Sequence, residues 1–167
     1  ETSTMLPIVE KIEELAKKKD LTQNKSARII ADHIKASCFI INAGIAPSNV
    51  EQGYVLRRLI RRAIKYGKDL SIPKNTDLTT PLTKEILKIY SDYSELKQNQ
   101  KFIIDELNKE EEKFEKTLEK GLNKFEKIIR EKKKLDCKDA FLLYQSYGFP
   151  IEMTIELAQA KGIKINK

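Results

Sequence analysis

The chain has 167 residues, with 32 Lys and Arg against 25 Asp and Glu and a net charge of +7. That length can bury a core without disulfides, and the positive field favours a polyanionic partner. Cys38 and Cys137 form no CxxC pair and have only one histidine to join them, so no ordinary zinc set can be assembled and both read as reduced thiols. No run of 18 apolar residues occurs, and the opening ETSTMLPIVEKIEEL lacks a basic segment followed by an apolar one. Membrane-spanning and secreted classes are thereby excluded, and a cytoplasmic location is expected. A chain that starts at Glu1 is expected to be a segment of a longer polypeptide.

Helical periodicity runs from end to end, and alternating β-branched stretches are missing, so the predicted class is all-α: a multi-helix domain with one long charged helix, divisible into two helical parts, 1–72 and 73–167. The first helix is predicted from Leu6 to Lys19, with Ile8, Val9, Ile12 and Leu15 at helical spacing and Asp20 at its stop. A second, more apolar helix begins near Thr22 or Asn24 and runs through Ile29, Ile30, Ile34, Phe39 and Ile40 to Gly44, which can take the left-handed conformation past its end. Pro47, Ser48 and Asn49 open the third, where Glu51 stands three residues after Ser48 as a capping-box partner. The stretch DLSIPKNTDLTTP reads as a loop, and Thr80 as N-cap with Pro81 at the first helical position restarts the chain. A charged helix then extends from about Ser94 to Lys134. Its apolar stripe is Phe102, Ile103, Leu107, Phe114, Leu118, Leu122, Phe125 and Ile129, and its mixed charges read as a solvated face. Asp136 caps a helix containing Phe141 and Leu142, Gly148 and Pro150 close it, and a last helix spans Ile151 to about Lys161.

The third helix carries the chemistry. Winding residues 49–70 at about 100° per residue gathers Arg57, Arg58, Arg61, Arg62, Lys65 and Lys68 into an arc of roughly 140°, with Val55, Leu56, Leu59, Ile60, Ala63 and Ile64 opposite. These 22 residues hold six basic and two acidic groups, so more than half of the net charge is concentrated in one helix. A continuous guanidinium strip suits phosphate oxygens, because the planar fork of Arg matches them. Three readings stay open on pattern alone, in this order: nucleic acid, internal pairing with the Glu-rich run from Glu110 to Glu119, and an anionic membrane surface.

The string SARIIADHIKASCFIINAGIAPSNVEQGYVLRRLIRRAIKYG resembles the stretch of alanyl-tRNA synthetases with an R-x-I-A-D-H block followed by P-S-N, R-G-Y-V-L-R-R and R-R-A. KFEKTLEKGLNKFEKII is similar to the family's F-x-x-T-L-E-x-G run, and DAFLLYQSYGFPIEMTIELA to its A-F-x-L-Y-D-T-Y-G-F-P segment. The opening ETSTMLPIVEKIEEL also resembles the start of the family's helical tRNA-recognition domain, so the likeness covers essentially the whole chain in the family's order.

The resemblance implies a helical domain that follows a catalytic domain and docks the acceptor stem of tRNA(Ala), whose G·U wobble pair identifies it. It implies no catalytic site and no cofactor in this stretch, ATP and Mg²⁺ belonging to the catalytic domain of the same parent protein, and no membrane partner. Asn49, at the family's Asn in P-S-N, and Gln145, where the family commonly has Asp, are implied to read the wobble pair from the minor groove, which is wide and shallow in A-form RNA. Arg57, Arg58, Arg61, Arg62 and Lys65 are expected on the tRNA backbone. Asn49 is further expected in the first turn of the basic helix, where free backbone N–H groups favour a nearby phosphate. Two departures stand out. Gln52 replaces the Arg before G-Y-V-L-R-R, and Gln145 keeps a carbonyl acceptor but drops the negative charge. His33, at the histidine of A-D-H, reads as a structural hydrogen-bonding residue and is assigned no role, and Tyr54, Tyr144 and Tyr147 suit a core as well as base stacking.

Overall fold

A computed structural model describes residues 2–74 and 76–163. All regular structure among them is helical, as the periodicity predicts: α1 (Thr2–Ala16), α2 (Lys25–Asn42), α3 (Glu51–Asp69), α4 (Thr79–Ile89), α5 (Ser94–Gln98), α6 (Gln100–Lys132), α7 (Cys137–Tyr147) and α8 (Ile151–Ala160). The chain forms two compact units, residues 1–112 and 113–167. The division falls inside α6 and not at 72/73, because α4 and α5 pack against α1 and α2. Leu82, Ile86, Leu96, Ile103 and Leu107 are thereby buried in the first unit's core.

In the first unit α2 packs on α1, α3, α4 and α5. Asn24 caps it by accepting from the backbone N–H groups of Ser26 (2.9 Å) and Ala27 (3.2 Å), and Gly44 beyond its end has φ +88°, the left-handed geometry that glycine adopts without a Cβ penalty. α1 starts four residues before the predicted Leu6 and carries Pro7 inside it, since one proline removes a single ladder bond without ending the helix. Past Ala16 the turn puts Lys17 and Asp20 at positive φ, and Glu13 Oε1 accepts from Leu21 N at 2.7 Å.

The predicted continuous helix from Ser94 breaks at Asn99. Leu96 is drawn into the core at 1 % exposure, and Asn99 Nδ2 donates to Asn42 Oδ1 at 2.9 Å. Phe102, placed by periodicity on the apolar stripe, is 45 % exposed, and Ile128 is buried where Ile129 was expected. Nor is the start of α4 capped by Thr80. Leu78 is the N-cap, Thr80 N donates to Asp77 Oδ1 (2.9 Å), and the neighbouring donors turn to α6. There Glu111 accepts from Leu78 N (2.9 Å), Thr79 N (3.0 Å) and Thr79 Oγ1 (2.6 Å), its carboxylate standing in for a cap residue.

The second unit is assembled by the two motif blocks of the sequence. Asp136 caps the start of α7 and Gly148 at φ +69° ends it, both as predicted, and Asp139 adds the reciprocal half of a capping box. Beyond Gly148 the chain turns Phe149 inward against Phe114, ring centroids 5.7 Å apart, while Thr117 Oγ1 donates to Tyr147 O at 2.8 Å. Phe149 sits directly against Gly121: a Cβ there would be 2.3 Å from Phe149 Cε2 and 2.9 Å from Tyr147 Cβ. The glycine of the KTLEKG run is thus the seat for the phenylalanine of YGFP.

Two outcomes follow. Gly121→Ala gains about 1 kcal/mol of helix propensity but overpacks a buried ring at a cost of roughly 1–3 kcal/mol. A lower denaturant midpoint is therefore expected, and an unchanged or higher one would show that Phe149 relocates freely. Glu111 provides the second. Burial raises its carboxyl from 4.5 to about 7 against the hydrogen bonds from Thr79 and Leu78. At roughly 1.4 kcal/mol per tenfold change in proton affinity, this is on the order of 3 kcal/mol. The folded chain holds this proton to higher pH than the unfolded one, so the contribution is complete below about 4.5 and is lost as pH rises through about 7. Thermal unfolding between pH 5 and 8 should show Tm falling in the parent chain and a flatter profile in Glu111→Gln; equal slopes would mean that Glu111 does not titrate in this window.

Candidate nucleic-acid interface

α3 buries Leu56, Ile60, Ala63 and Ile64 against the first unit's core, as its apolar side predicts, although Val55 is 41 % exposed. The basic side departs further from the expectation of a continuous strip. Arg61 is only 5 % exposed: its Nε and Nη2 lie 2.6 Å and 2.5 Å from Glu110 Oε1. Arg57 Nε approaches the same oxygen at 3.1 Å. Glu110 is itself buried, because it stands on the core stripe of α6 between Leu107 and Phe114. Internal pairing therefore takes two members of the arc, and the charge of Arg61 is spent inside the fold.

The remaining members are less enclosed. Arg58 and Arg62 are half-buried and Lys68 is exposed. Lys65 lies 2.6 Å from Asp69 Oδ2 and 4.3 Å from the Tyr66 ring centroid, and the Arg62 guanidinium stands 5.3 Å from the same ring. Arg62 Nη1 is also 2.8 Å from His33 Nε2. Since a guanidinium can only donate, Nε2 is the acceptor there and the ring proton sits on Nδ1, 3.1 Å from Asp32 Oδ2. The single histidine is a structural hydrogen-bonding residue whose partner is one of the basic-face arginines.

Asn49 does not lie in the first turn of α3. The helix starts at Glu51, whose φ is +48°, and Val50 occupies the cap position without a side-chain bond. The expected capping box between Ser48 and Glu51 is absent because Ser48 Oγ bonds locally, accepting from Val50 N (3.3 Å) and donating to Val50 O (3.0 Å). Asn49 instead occupies an exposed bend held against the helix. Ser48 N donates to Gly53 O (3.0 Å), and a Cβ on Gly53 would stand 2.1 Å from Ser48 Oγ and 2.7 Å from Ala46 O. Only glycine at 53 lets the loop lie so close. Arg57 completes the clamp, Nη1 donating to Asn49 Oδ1 and Nη2 to Pro47 O at 3.3 Å.

Gln145 belongs to the second unit, on the exposed side of α7. Tyr66 and Leu143 are buried, while Tyr54, Tyr144 and Tyr147 are half-buried. An open cleft of about 780 Å³ between the starts of α1 and α2, walled by Met5, Leu6, Val9, Arg28, Ile29 and Lys35, contains none of the predicted site residues. Among the described residues no three His, Cys, Asp or Glu side chains converge as a metal site requires. Cys38, buried and 3.7 Å from Thr83 Oγ1, has its thiol pushed up to about 12 by burial, and among the described residues neither cysteine is in a disulfide. No helix among the described residues is long and apolar enough to cross a membrane.

The sequence reading missed Glu110 as a buried anion, Gly53 as the seat of the loop and the contact of His33 with Arg62. The first was visible in the spacing, since Leu107, Glu110, Glu111 and Phe114 recur at the steps of one helix face.

A family model described as tRNA synthetases class II (A) matches residues 1–167. The chain is 46 % identical over 175 residues to an alanine–tRNA ligase of Borrelia hermsii, covering 100 % of this chain and 29 % of that protein. To the alanine–tRNA ligase of Thermotoga maritima it is 39 % identical over 171 residues, with 99 % of this chain and 20 % of the relative covered. To that of Lactobacillus johnsonii it is 45 % identical over 178 residues, with 100 % and 20 % covered. The chain thus spans less than a third of the length of these curated relatives. With the motif blocks in order and the whole chain matched, this protein belongs to the class II tRNA synthetases of the alanyl type.

Proposed function

We propose that this chain is the tRNA-recognition part of an alanine–tRNA ligase, holding the acceptor stem of tRNA(Ala) and reading its G·U wobble pair, while ATP and Mg²⁺ are bound by a part of the protein outside these residues. The observation that carries the reading is the exposed Asn49 amide, held at the N-terminal end of a helix whose adjoining face carries Arg58, Arg62, Lys65 and Lys68. A directional group beside a run of positive charge suits an RNA helix, where phosphate contacts position and base-edge contacts specify. In this reading Asn49 and Gln145 contact the third base pair of the acceptor stem from the minor groove. Arg58, Arg62 and Lys65 meet the backbone, whereas Arg61, sealed against Glu110, contributes by holding the basic helix in place.

Filter binding of several tRNAs at two salt concentrations tests the core of the proposal. Binding should weaken steeply with salt, as expected when phosphate contacts release counterions. Equal retention of every polyanion, or capture by anionic vesicles in place of tRNA, would refute it. The family model matches the full chain, so catalysis is tested directly: no ATP–pyrophosphate exchange is expected from these residues alone, and exchange above background would show that they hold an active site. Arg58→Ala and Lys65→Ala should lower affinity for all tRNAs alike and flatten the salt slope. Arg61→Ala should act on the fold instead, leaving Glu110 buried without its main partner at a cost of roughly 3–5 kcal/mol.

Asn49→Ala and Gln145→Asp test the base reading. One directional base contact is worth roughly 1–3 kcal/mol, so Asn49→Ala should reduce the preference for a wobble stem over a G·C stem by about tenfold while sparing general affinity. Gln145→Asp should raise that preference, because a hydrogen bond to an ionised acceptor is about twice as strong as a neutral one. A uniform loss on both stems, with their ratio unchanged, would remove Gln145 from the reading.

A further inference from the structure

The Arg57 guanidinium turns all three of its nitrogens to groups inside the first unit, its two Nη atoms as hydrogen-bond donors and its Nε as a charge contact without hydrogen-bond geometry. Nε faces Glu110 Oε1 at 3.1 Å, Nη2 donates to Pro47 O at 3.3 Å, and Nη1 donates to Asn49 Oδ1. The side chain is only 12 % exposed, and Glu110 is anchored from the other side by Arg61 Nε at 2.6 Å. An arginine placed to meet phosphate would keep its fork toward solvent. This one spans the gap between α6 and the loop that carries Asn49.

From this geometry we infer that Arg57 and Glu110 are positioning residues for base reading: the chain Glu110–Arg57–Asn49 fixes the orientation of the Asn49 amide, and Arg57 acts through Asn49 and not through the RNA backbone. The inference rests on the reading of Asn49 proposed above and deepens it. An exposed asparagine in a bend would otherwise rotate about χ2 and present its oxygen and nitrogen indifferently. With Oδ1 tied to a cation, the amide has one orientation, and the second lone pair of that oxygen stays available as an acceptor for the base edge. Gly53 and Ser48 fix the backbone of the loop, so the remaining freedom of the reading group lies in its own side-chain torsions, which the bond from Arg57 restrains. The buried anion at 110 in turn holds Arg57, whose fork a lysine cannot reproduce because ammonium offers no planar pair of donors.

The test uses Arg57→Lys in the full chain, which keeps the charge and loses the fork. Two readouts are needed. In nitrogen–proton NMR spectra, the Asn49 side-chain amide pair should be displaced from its random-coil position in the parent chain and return to it in Arg57→Lys, with backbone peaks outside residues 46–57 unmoved; Glu110→Gln should move the pair the same way. In titrations with acceptor-stem hairpins carrying G·U or G·C at the third pair, Arg57→Lys should cut the G·U preference by about tenfold at unchanged affinity for the G·C hairpin, and should have no further effect on that preference in an Asn49→Ala background. An amide pair indifferent to Arg57→Lys overturns the inference, as does an equal loss on both hairpins that persists in the Asn49→Ala background, which would return Arg57 to the phosphate backbone. If the parent chain does not distinguish the hairpins, the reading of Asn49 fails, and the amide spectra still decide whether Arg57 orients it.

Discussion

Two neighbouring carboxylates on one turn of α6, those of Glu110 and Glu111, are withdrawn from water at 4 % and 5 % exposure, and the first unit is arranged around their satisfaction. A buried ionisable group must find partners or neutralise. Glu110 meets this by drawing Arg61 and Arg57 of α3 onto one oxygen, and Glu111 by taking the orphan backbone donors at the start of α4 together with the Thr79 hydroxyl. Successive residues on a helix point about 100° apart, so α6 reaches two other elements from adjacent positions. The helix that would carry the RNA-facing charge is thus tethered to α6 by part of that same charge.

This use of arginine divides the basic helix into two kinds of residue. Arg61 and Arg57 lie along the line where α3 meets Glu110 and spend their donors inward, whereas Arg58, Arg62, Lys65 and Lys68 lie toward the open side of the helix. A net charge concentrated in one segment overstates the charge available to a ligand whenever a buried anion sits opposite it. Arg62 is intermediate, bonded to His33 and stacked toward Tyr66, which orders its side chain in advance of any partner and lowers the entropy that binding would have to remove.

Glycines carry much of the specificity of the two units. Gly53 admits the loop bearing Asn49 to the surface of α3, and Gly121 admits the Phe149 ring to the surface of α6. Both positions stand in the motif blocks by which the chain resembles its family, and in each case the reason is the close approach of another group, which any Cβ would obstruct.

Much of this was legible in the residues themselves. The all-helical class, the Asn24 and Asp136 caps, the stops at Gly44 and Gly148 and the apolar side of α3 follow from periodicity and capping chemistry, which are local. The motif blocks identify the family for the same reason, being strings of residues in order. What escaped the sequence was the break at Asn99, the capping of α4 by Glu111 and the burial of Arg61, which need a distant partner, together with the bend that holds Asn49 before α3; pairing of the basic helix with the Glu110–Glu119 run is one of three readings that the pattern leaves open. Amphipathic winding shows which side chains share a helix face but not what stands opposite, and a basic arc reads alike whether water, phosphate or a buried glutamate faces it. Tertiary packing decided that, because it set Glu110 of α6 against Arg57 and Arg61 and left Arg58 and Arg62 only half-buried.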